Sequence, residues 1–255
     1  MTQAKPDLNA EASLPRYVAI ITDGNGRWAH ARGLSVSEGH DAGADTLKAR
    51  LRDAAELGVQ ELTVYSFSTE NWSRPQNEVD GLISMMASRI ARETPELHEE
   101  DVRMRFIGRR DGVPRRLTEQ MDRAETLTES NRRITLCIAF NYGGRAEILD
   151  AATRFSGGTE DDFSRLLYAP DMHDPELLIR TGSERRLSNF VLWQAAYSEF
   201  VFRDELWPEF SRQALEECLR EFSERRRHFG GRTQATGEPH HDDANGVTTV
   251  SRREE

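Results

Sequence analysis

Short apolar runs alternate with longer amphipathic segments along most of this chain, and this alternation limits the folds that it can adopt. The runs have the length of buried strands, and the longer segments have helical spacing. Strands are predicted at Arg16–Thr22, Gln60–Ser68, Val102–Gly108, Arg133–Phe140 and Glu176–Arg180, and helices at Glu38–Leu57, Glu78–Arg92, Pro114–Glu129 and Arg145–Phe155. Because strand–helix–strand order requires crossover connections, we expect a single α/β domain with a central, mostly parallel sheet flanked by helices.

Polar ends flank this predicted domain, which spans residues 14–231. Residues 1–13 are predicted to be a flexible N-terminus. Residues 232–255 are predicted to be a disordered polar tail, because their few apolar side chains cannot offset the entropy lost on ordering. No apolar run reaches the length of a membrane span or of a secretory signal, so we expect a cytoplasmic protein.

Net charge and cysteine usage exclude further classes. The formal net charge of −10 is unlike that of a general nucleic-acid binder, which carries a basic face. Cys137 and Cys218 have neither disulfide nor metal-ligand spacing, so both are predicted to be reduced and buried.

The segment after the first predicted strand, Asp23-Gly-Asn-Gly-Arg-Trp28, combines groups that bind phosphate. Ligands of open α/β sheets bind beyond the carboxyl ends of the strands. Here glycines let backbone N–H groups converge on an anion, Arg27 adds a charged fork, and Asp23 can hold a Mg²⁺ ion that binds phosphate oxygens. A plain Asp-Gly turn is the alternative, and it is the preferred interpretation of the pair in isolation.

The segment after the last predicted strand, Arg180-Thr-Gly-Ser-Glu-Arg-Arg-Leu-Ser-Asn-Phe190, is a candidate for a second diphosphate cradle. Three arginines and two serines lie there, next to an apolar stretch that has to be largely buried. Glu199 lies inside that apolar stretch, so its carboxylate needs a metal or an arginine as a partner.

Two other strand ends are open to structural explanations. Ser68 to Asn71 fits a capping turn with Trp72 in the core, although this leaves Arg74 before Pro75 unexplained. In Asn141-Tyr-Gly-Gly-Arg145 the glycines are best explained by close packing at a strand-to-helix turn.

The residues alone therefore predict Mg²⁺-dependent transfer between two diphosphates with apolar bodies. The chain has no nucleophile–histidine pattern, zinc cluster, Walker loop or dinucleotide fingerprint.

From about Arg16 to Gly231 the chain resembles the cis-prenyltransferases, the isoprenyl transferase family that includes bacterial undecaprenyl diphosphate synthase. The resemblance is carried, in order, by DGNGRWA, EGH, YSFSTENWSRP, NYGGR, RTGSERRLSNF and LWQAAYSEFVF followed by LWPEF. It implies a hydrophobic tunnel, a homodimer, and condensation of isopentenyl diphosphate with an allylic diphosphate such as farnesyl diphosphate. The lipid product further implies transient contact with the inner face of the membrane.

The resemblance also implies roles for individual residues. Asp23 matches the Mg²⁺-binding aspartate, Asn71 the proton acceptor, for which a diphosphate oxygen is the alternative, and Glu199 a second metal-linked carboxylate near a dimer interface. The allylic diphosphate cradle is matched by Gly24, Asn25, Gly26, Arg27 and His40. The substrate-positioning set is matched by Trp28, Ser68, Thr69, Glu70, Trp72 and Arg74, and the isopentenyl diphosphate site by Arg180, Arg186, Leu187 and Ser188.

Three positions depart from the family pattern. Val36 stands where many members carry a diphosphate-binding arginine, Thr22 replaces a methionine, and His228 replaces an arginine. A synthase of irregular or short prenyl diphosphates is therefore an alternative. A non-catalytic partner subunit is a second alternative, but it predicts loss of Asp23, Asn25 and Arg27, and all three are present. Product length is expected to depend on bulk along Leu82, Ile83, Met86 and Ile90.

Overall fold

One parallel sheet organises the computed structural model, which describes residues 14–225. The sheet has six strands in the order β3-β4-β2-β1-β5-β6, and every neighbouring pair is parallel. The strands are β1 (Tyr17–Ile21), β2 (Glu61–Ser68), β3 (Val102–Ile107), β4 (Ile134–Tyr142), β5 (Leu177–Arg180) and β6 (Glu199–Phe202).

α-Helices lie between successive strands from β1 to β5, and one follows β6. Within residues 14–225 they are α1 (Asn25–Ala31), α2 (Val36–Glu56), α3 (Gln76–Glu99), α4 (Arg115–Thr128), α5 (Gly144–Ala152), α6 (Glu160–Ser164) and α7 (Arg212–Glu224). None of these helices combines the length and the apolar character needed to cross a membrane.

The predicted α/β fold is confirmed, and all five predicted strands are present with shifts of one or two residues at their ends. Sequence patterns gave no bounds for α1, α6, α7 or the four-residue edge strand β6. The prediction that α3 ends at Arg92 is wrong, because the helix continues through Pro95 to Glu99. Burial of Thr94 and Leu97 in the core outweighs the backbone hydrogen bond that proline removes. The predicted polar ends lie outside the described residues.

Alternating side chains of the strands build a core on each face of the sheet. Val18 and Ile20 of β1 pack on the face covered by α2, α3, α4 and α7, whereas Ala19 and Ile21 pack with Tyr142 and Phe190 on the other face. The prediction for the cysteines is confirmed, since both are free and buried.

The sheet order creates a switch point beside β1. From β1 the chain passes to β2 on one side, whereas β5 pairs with β1 on the other side, with Ile21 level with Arg180. The segments that follow β1 and β5 therefore leave the sheet next to each other, at the place where open α/β sheets bind ligands.

Candidate active site

Asp23 follows β1 and has its carboxylate held by two arginines. Its backbone N–H donates to Oγ1 of Thr181 at 3.0 Å, which ties the turn to the end of β5. Nη2 of Arg27 donates to Oδ1 at 3.2 Å, and Nη2 of Arg180 donates to Oδ2 at 2.9 Å. The Asp23 side chain is 30% exposed, so a ligand can reach it.

Arg180 is the buried centre of the second predicted cradle, with only 4% of its side chain exposed. Besides Asp23, its guanidinium donates to the backbone carbonyl of Arg186 and to Oγ of Ser188, the latter at 2.7 Å. Its Nε is buried without a hydrogen-bond partner. A buried donor with no acceptor is costly, so this atom is available to an incoming acceptor.

The remaining residues of the second cradle lie at the surface. Arg186 is 61% exposed and pairs with Glu184. Leu187 packs against the core on the Tyr142 face. Ser188 has a left-handed backbone with φ 48°, which turns its hydroxyl towards Arg180.

The first predicted cradle depends on a glycine conformation. Gly24 has φ 116°, and a Cβ added to it would lie 2.9 Å from the Leu206 side chain. The backbone of Asp23 also accepts a 2.9 Å hydrogen bond from the N–H of Trp207. The LWPEF segment, residues 206–210, therefore packs against the turn formed by Asp23 and Gly24 and holds it in place. By contrast, a Cβ on Gly26 would meet nothing within 4 Å.

Asn25 and His40 lie side by side in this cradle, with 3.4 Å between Nδ2 of Asn25 and Nδ1 of His40. Oδ1 of Asn25 is buried without a partner, and a Cβ on Gly43 would collide with it. Burial and then the charge of Arg74 lower the pKa of His40, so its imidazole is neutral at pH 7. Trp28, one turn further along α1, is covered by the Arg32 guanidinium at 4.6 Å.

The segment after β2 forms the capping turn that the sequence from Ser68 to Asn71 suggested. Ser68 caps a short 3₁₀ helix, Thr69–Ser73, and its backbone N–H donates to Oδ1 of Asn71 at 2.9 Å. The amide oxygen of Asn71 is engaged in this way, and its NH2 group remains able to donate to a ligand.

Two further side chains of this segment are tied to the fold. Trp72 donates from Nε1 to Oδ1 of Asn141 at 2.7 Å and packs against Phe67. Arg74 pairs with Glu78 at 2.8 Å in the first turn of α3. Neither residue contacts Asp23 directly, so both flank the site.

Asn189 joins three of the strand-end segments, and sequence patterns did not single it out. Its Nδ2 donates to Oε1 of Glu70 at 2.9 Å, its Oδ1 accepts from the N–H of Arg145 at 2.8 Å, and its carbonyl accepts from the N–H of Gly144 at 2.7 Å. Its φ of 66° is left-handed, a conformation that asparagine tolerates better than most residues. The sequence offered one signal for this residue: Asn189 directly follows Ser188, a candidate anion-binding residue.

Glu70 is charged in this arrangement. Partial burial opposes its ionisation, but hydrogen bonds from Asn189, from Ser68 and Thr69 side chains and from its own backbone lower its pKa. The carboxylate therefore remains ionised at neutral pH and lies on the loop beside the second cradle.

Glu199 lies at the amino end of β6, whereas Asp23 follows the carboxyl end of β1. It is level with Leu177 at the amino end of β5, and it pairs with Arg225 at 2.8 Å. An arginine is thus its partner within the chain, and one chain does not bring Glu199 to Asp23. Among residues 14–225 no group of three or more histidine, cysteine or acidic side chains is arranged to hold a metal ion.

An apolar cavity of about 120 Å³ extends from the first cradle between the sheet, α2 and α3. Thr22, Asn25 and His40 line its polar end, and the predicted residues Leu82, Met86 and Ile90 line its side. Ile83 instead faces a groove between α3 and α4. The prediction that Ile83 shares this lining is wrong, because it lies one residue beyond Leu82, on another face of the helix.

Val36 lies outside this cavity. It is 44% exposed at the start of α2 and lines a shallow pocket of about 280 Å³ with His40 and Pro75. That pocket shares Leu82 and Met85 with the apolar cavity. Ser37, Asn77 and Glu78 also line that pocket, so Val36 lies among polar side chains there.

Comparisons with known proteins agree with this geometry. Residues 21–230 match the prenyltransferase family described as "Putative undecaprenyl diphosphate synthase". The isoprenyl transferase of Fusobacterium nucleatum is 46% identical over 226 residues, which cover 87% of this chain and 98% of the relative. The ditrans,polycis-undecaprenyl-diphosphate synthase ((2E,6E)-farnesyl-diphosphate specific) of Micrococcus luteus is 44% identical over 236 residues, covering 88% and 94%.

A solved structure has the same fold. Lavandulyl diphosphate synthase from Lavandula x intermedia, in complex with dimethylallyl diphosphate, superposes with a TM-score of 0.82 at 33% identity, covering 86% of this chain and 99% of that one. With the family match and these relatives, the chain belongs to the isoprenyl transferase and undecaprenyl diphosphate synthase family, whose members transfer prenyl groups.

Proposed function

We propose that the protein condenses isopentenyl diphosphate with an allylic diphosphate, such as farnesyl diphosphate, to form a Z-polyprenyl diphosphate. The observation that carries this proposal is the 2.9 Å contact between Asp23 and Arg180, which joins two phosphate-binding segments at the mouth of an apolar cavity. The specificity printed for the Micrococcus luteus relative supports farnesyl diphosphate as the first primer to test.

Each cradle would hold one diphosphate. Gly24, Asn25, Gly26, Arg27 and His40 would bind the allylic diphosphate, with its prenyl body in the cavity lined by Leu82 and Met86. Arg180, Arg186 and Ser188 would hold isopentenyl diphosphate with its double bond directed at the allylic carbon, which removes much of the entropic cost of the encounter.

The reaction needs a departing diphosphate and a proton acceptor. A carbon–carbon bond forms as the allylic carbon–oxygen bond breaks, and a proton then leaves the isopentenyl unit. Arg27 and backbone N–H groups would stabilise the charge that develops on the diphosphate. Because Asn71 presents a donor, a diphosphate oxygen would take the proton.

Asp23 fits a magnesium ion shared with substrate. Mg²⁺ in proteins is commonly held by one or two carboxylates together with substrate phosphate oxygens. Asp23 is partly exposed at the carboxyl end of β1, whereas Glu199 pairs with Arg225 at the amino end of β6. When bound, Mg²⁺ would neutralise charge on the leaving diphosphate. Asp23 would hold it, and the half-exposed Arg27 would donate to the phosphate oxygens.

Assembly and location are part of the proposal. Tyr197 is 79% exposed and Phe202 is 37% exposed on and beside the edge strand β6, and this surface supports a homodimer. The lipid product supports transient contact with the inner face of the membrane.

Product analysis with different primers tests the proposed function. The purified protein would be incubated with Mg²⁺, labelled isopentenyl diphosphate and dimethylallyl, geranyl or farnesyl diphosphate, and the extracted products sized. Incorporation of several isopentenyl units is expected with at least one primer. No incorporation with any primer would contradict the proposal.

An irregular prenyl diphosphate synthase is the second candidate, favoured by the likeness to lavandulyl diphosphate synthase and by Val36, which lines the pocket beside His40 in place of the arginine of many family members. Incubation with dimethylallyl diphosphate alone separates the two candidates. A ten-carbon product formed without isopentenyl diphosphate would support irregular coupling, whereas the regular reaction requires both substrates.

A further inference from the structure

The hydroxyl of Thr181, the residue that follows β5, forms hydrogen bonds with backbone atoms at the end of β1. Its Oγ1 accepts from the N–H of Asp23 at 3.0 Å and donates to the carbonyl oxygen of Asp23 at 2.8 Å. The carbonyl oxygen of Ile21 lies farther away, at 3.4 Å. Because the hydroxyl has a single hydrogen, the shorter distance favours the bond to Asp23. One side-chain atom therefore holds Asp23 at both its N–H and its C=O.

This two-point contact fixes the direction in which the Asp23 side chain leaves the backbone. The positions of the N–H and C=O groups of a residue determine the direction of its Cα–Cβ bond. Arg180, the residue before Thr181, holds the carboxylate itself at 2.9 Å. Two adjacent residues after β5 thus hold the backbone and the side chain of Asp23.

Gly182, the next residue, packs equally closely against the same turn. Its φ is 82°, and a Cβ added to it would collide with Nη2 of Arg27 and lie 3.1 Å from the carbonyl oxygen of Asp23. The glycine therefore lets Thr181 approach Asp23 closely enough for the two hydrogen bonds.

The burial of Thr181 excludes direct contact with a substrate. Its side chain is fully buried, and branching at Cβ restricts its rotamer. The fold does not depend on the hydroxyl alone, because the N–H of Asp23 also donates to the carbonyl of Ile21 at 3.0 Å and its C=O also accepts from the N–H of Trp207 at 2.9 Å. Both backbone groups keep a partner when the hydroxyl is removed, which avoids the penalty of an unpaired buried group.

We propose that Thr181 is a positioning residue that sets the orientation of the Asp23 carboxylate between the two cradles. The inference rests on the proposed function, since it concerns the carboxylate around which the diphosphates would react. Active-site side chains have to be held by such supporting hydrogen bonds to within a fraction of an ångström. Without the hydroxyl, the Asp23 backbone can rotate and its carboxylate leaves its place between Arg27 and Arg180.

The proposed role predicts a loss of rate rather than of affinity. Asn25 and His40, which would bind the allylic diphosphate, have no hydrogen bond to Thr181 within residues 14–225. A side chain that is displaced by a fraction of an ångström slows the chemical step without removing these binding groups.

Thr181→Val and Thr181→Ser, with Thr128→Val as a matched control, test this inference. Valine resembles threonine in shape but lacks the hydroxyl, whereas serine keeps it. Thr128 is also fully buried, at the end of α4, and its hydroxyl likewise accepts from one backbone N–H, that of Met104 at 3.0 Å, and donates to one carbonyl, that of Ala124 at 2.7 Å. The incorporation of labelled isopentenyl diphosphate would give kcat and KM for both substrates, and urea unfolding would give stability.

Thr181→Val is expected to lower kcat about tenfold or more while changing either KM much less, and Thr181→Ser and Thr128→Val should keep kcat close to that of wild type. An unchanged kcat in Thr181→Val, or an equal loss in Thr181→Ser or Thr128→Val, would overturn the role of Thr181. Failure of Thr181→Val to fold would overturn it too, because the hydroxyl would then serve the fold. Wild type that incorporates no label would contradict the proposed function, and this inference with it.

Discussion

The guanidinium of Arg180 lies 2.9 Å from the carboxylate of Asp23, and this contact joins the segments that follow β1 and β5. Arg180 is almost fully buried, whereas Asp23 is partly open to solvent. A buried arginine provides a fixed, two-pronged donor for phosphate, and the carboxylate next to it keeps that charge compensated until a ligand arrives. The pair thereby couples the two candidate diphosphate cradles.

Replacing Arg180 is expected to reduce activity strongly, even by lysine. Arg180→Lys keeps the charge but loses the planar fork that contacts Asp23, Ser188 and the Arg186 carbonyl. We expect kcat/KM for isopentenyl diphosphate to fall by about 10²-fold. Arg165→Ala, which replaces a 65% exposed arginine outside both cradles, is the control and should change kcat/KM less than about threefold. Equal losses in the two variants would contradict the role given to Arg180.

The hydrogen bond from Asn189 to Glu70 can be tested by replacing the amide of Asn189 with a carboxylate and the carboxylate of Glu70 with an amide. Asn189→Asp keeps the acceptor for the Arg145 N–H and tolerates the left-handed backbone, but it places a second carboxylate against Glu70. We expect a rise in KM for isopentenyl diphosphate of about tenfold, equivalent to one lost hydrogen bond to a charged group.

The double variant Asn189→Asp/Glu70→Gln restores the bond with its direction reversed. It should recover part of the KM lost in Asn189→Asp, measured in the same steady-state assay. If the double variant instead shows the summed losses of the two single variants, the two residues act independently.

Two glycines of the first cradle are expected to respond differently to alanine. Gly24→Ala should lower the free energy of unfolding by about 1–3 kcal/mol, because φ is 116° and Leu206 leaves no room for a Cβ. Gly26→Ala should leave stability unchanged or raise it by about 1 kcal/mol, since Gly26 lies in α1 with open space around it.

Enzyme activity then distinguishes a structural requirement for glycine at Gly24 from a ligand-binding requirement at Gly26. If the open space at Gly26 is where the allylic diphosphate approaches the backbone, Gly26→Ala should be stable in urea titrations yet show a raised KM for that substrate. Full activity in Gly26→Ala would argue against a ligand at this backbone.

His173 makes stability depend on pH through its contact with buried Glu61. Nδ1 lies 3.2 Å from Oε2 of Glu61, and this hydrogen bond raises the pKa of His173 despite partial burial. A raised pKa in the folded state means that the contribution is fully present below the ordinary pKa of about 6.5 and is lost as the pH rises through the folded value. Because His173 is 55% exposed, solvent screening should keep it below about 1 kcal/mol.

Urea unfolding of wild type and His173→Gln between pH 5.5 and 8.5, a range chosen around the ordinary histidine pKa, checks this sign. The stability difference between the two proteins should be largest at the acidic end and shrink as the pH rises. A difference that grows with pH would contradict it.

The order of strands and helices, and the position of the candidate segments at strand ends, were readable from the sequence because they depend on local patterns. The apolar alternation located β1 to β5, and the candidate anion-binding segments were placed after strand ends. Helix α1 was missed because Gly24 and Gly26 obscure its start, and α3 was shortened at Pro95, whose cost is outweighed by burial of Leu97.

Long-range partners were not readable in this way. The contact of Asn189 with Glu70 spans 119 residues, and that of Arg89 with Asp41 spans 48. Glu199 was expected beside a metal or an arginine, and only the folded chain shows that its partner is Arg225. Such pairings depend on how strands and helices stack.

Asp23→Asn provides the most direct measurement of the central claim, that both diphosphates react around Asp23. The amide keeps the shape of the side chain and can still accept a hydrogen bond from Arg180, so the fold should be retained. In an assay of labelled isopentenyl diphosphate incorporated with farnesyl diphosphate and Mg²⁺, we expect wild type to make extractable polyprenyl product. The variant should lose about 10²-fold or more of that rate. Incorporation by Asp23→Asn at the wild-type rate would contradict the account.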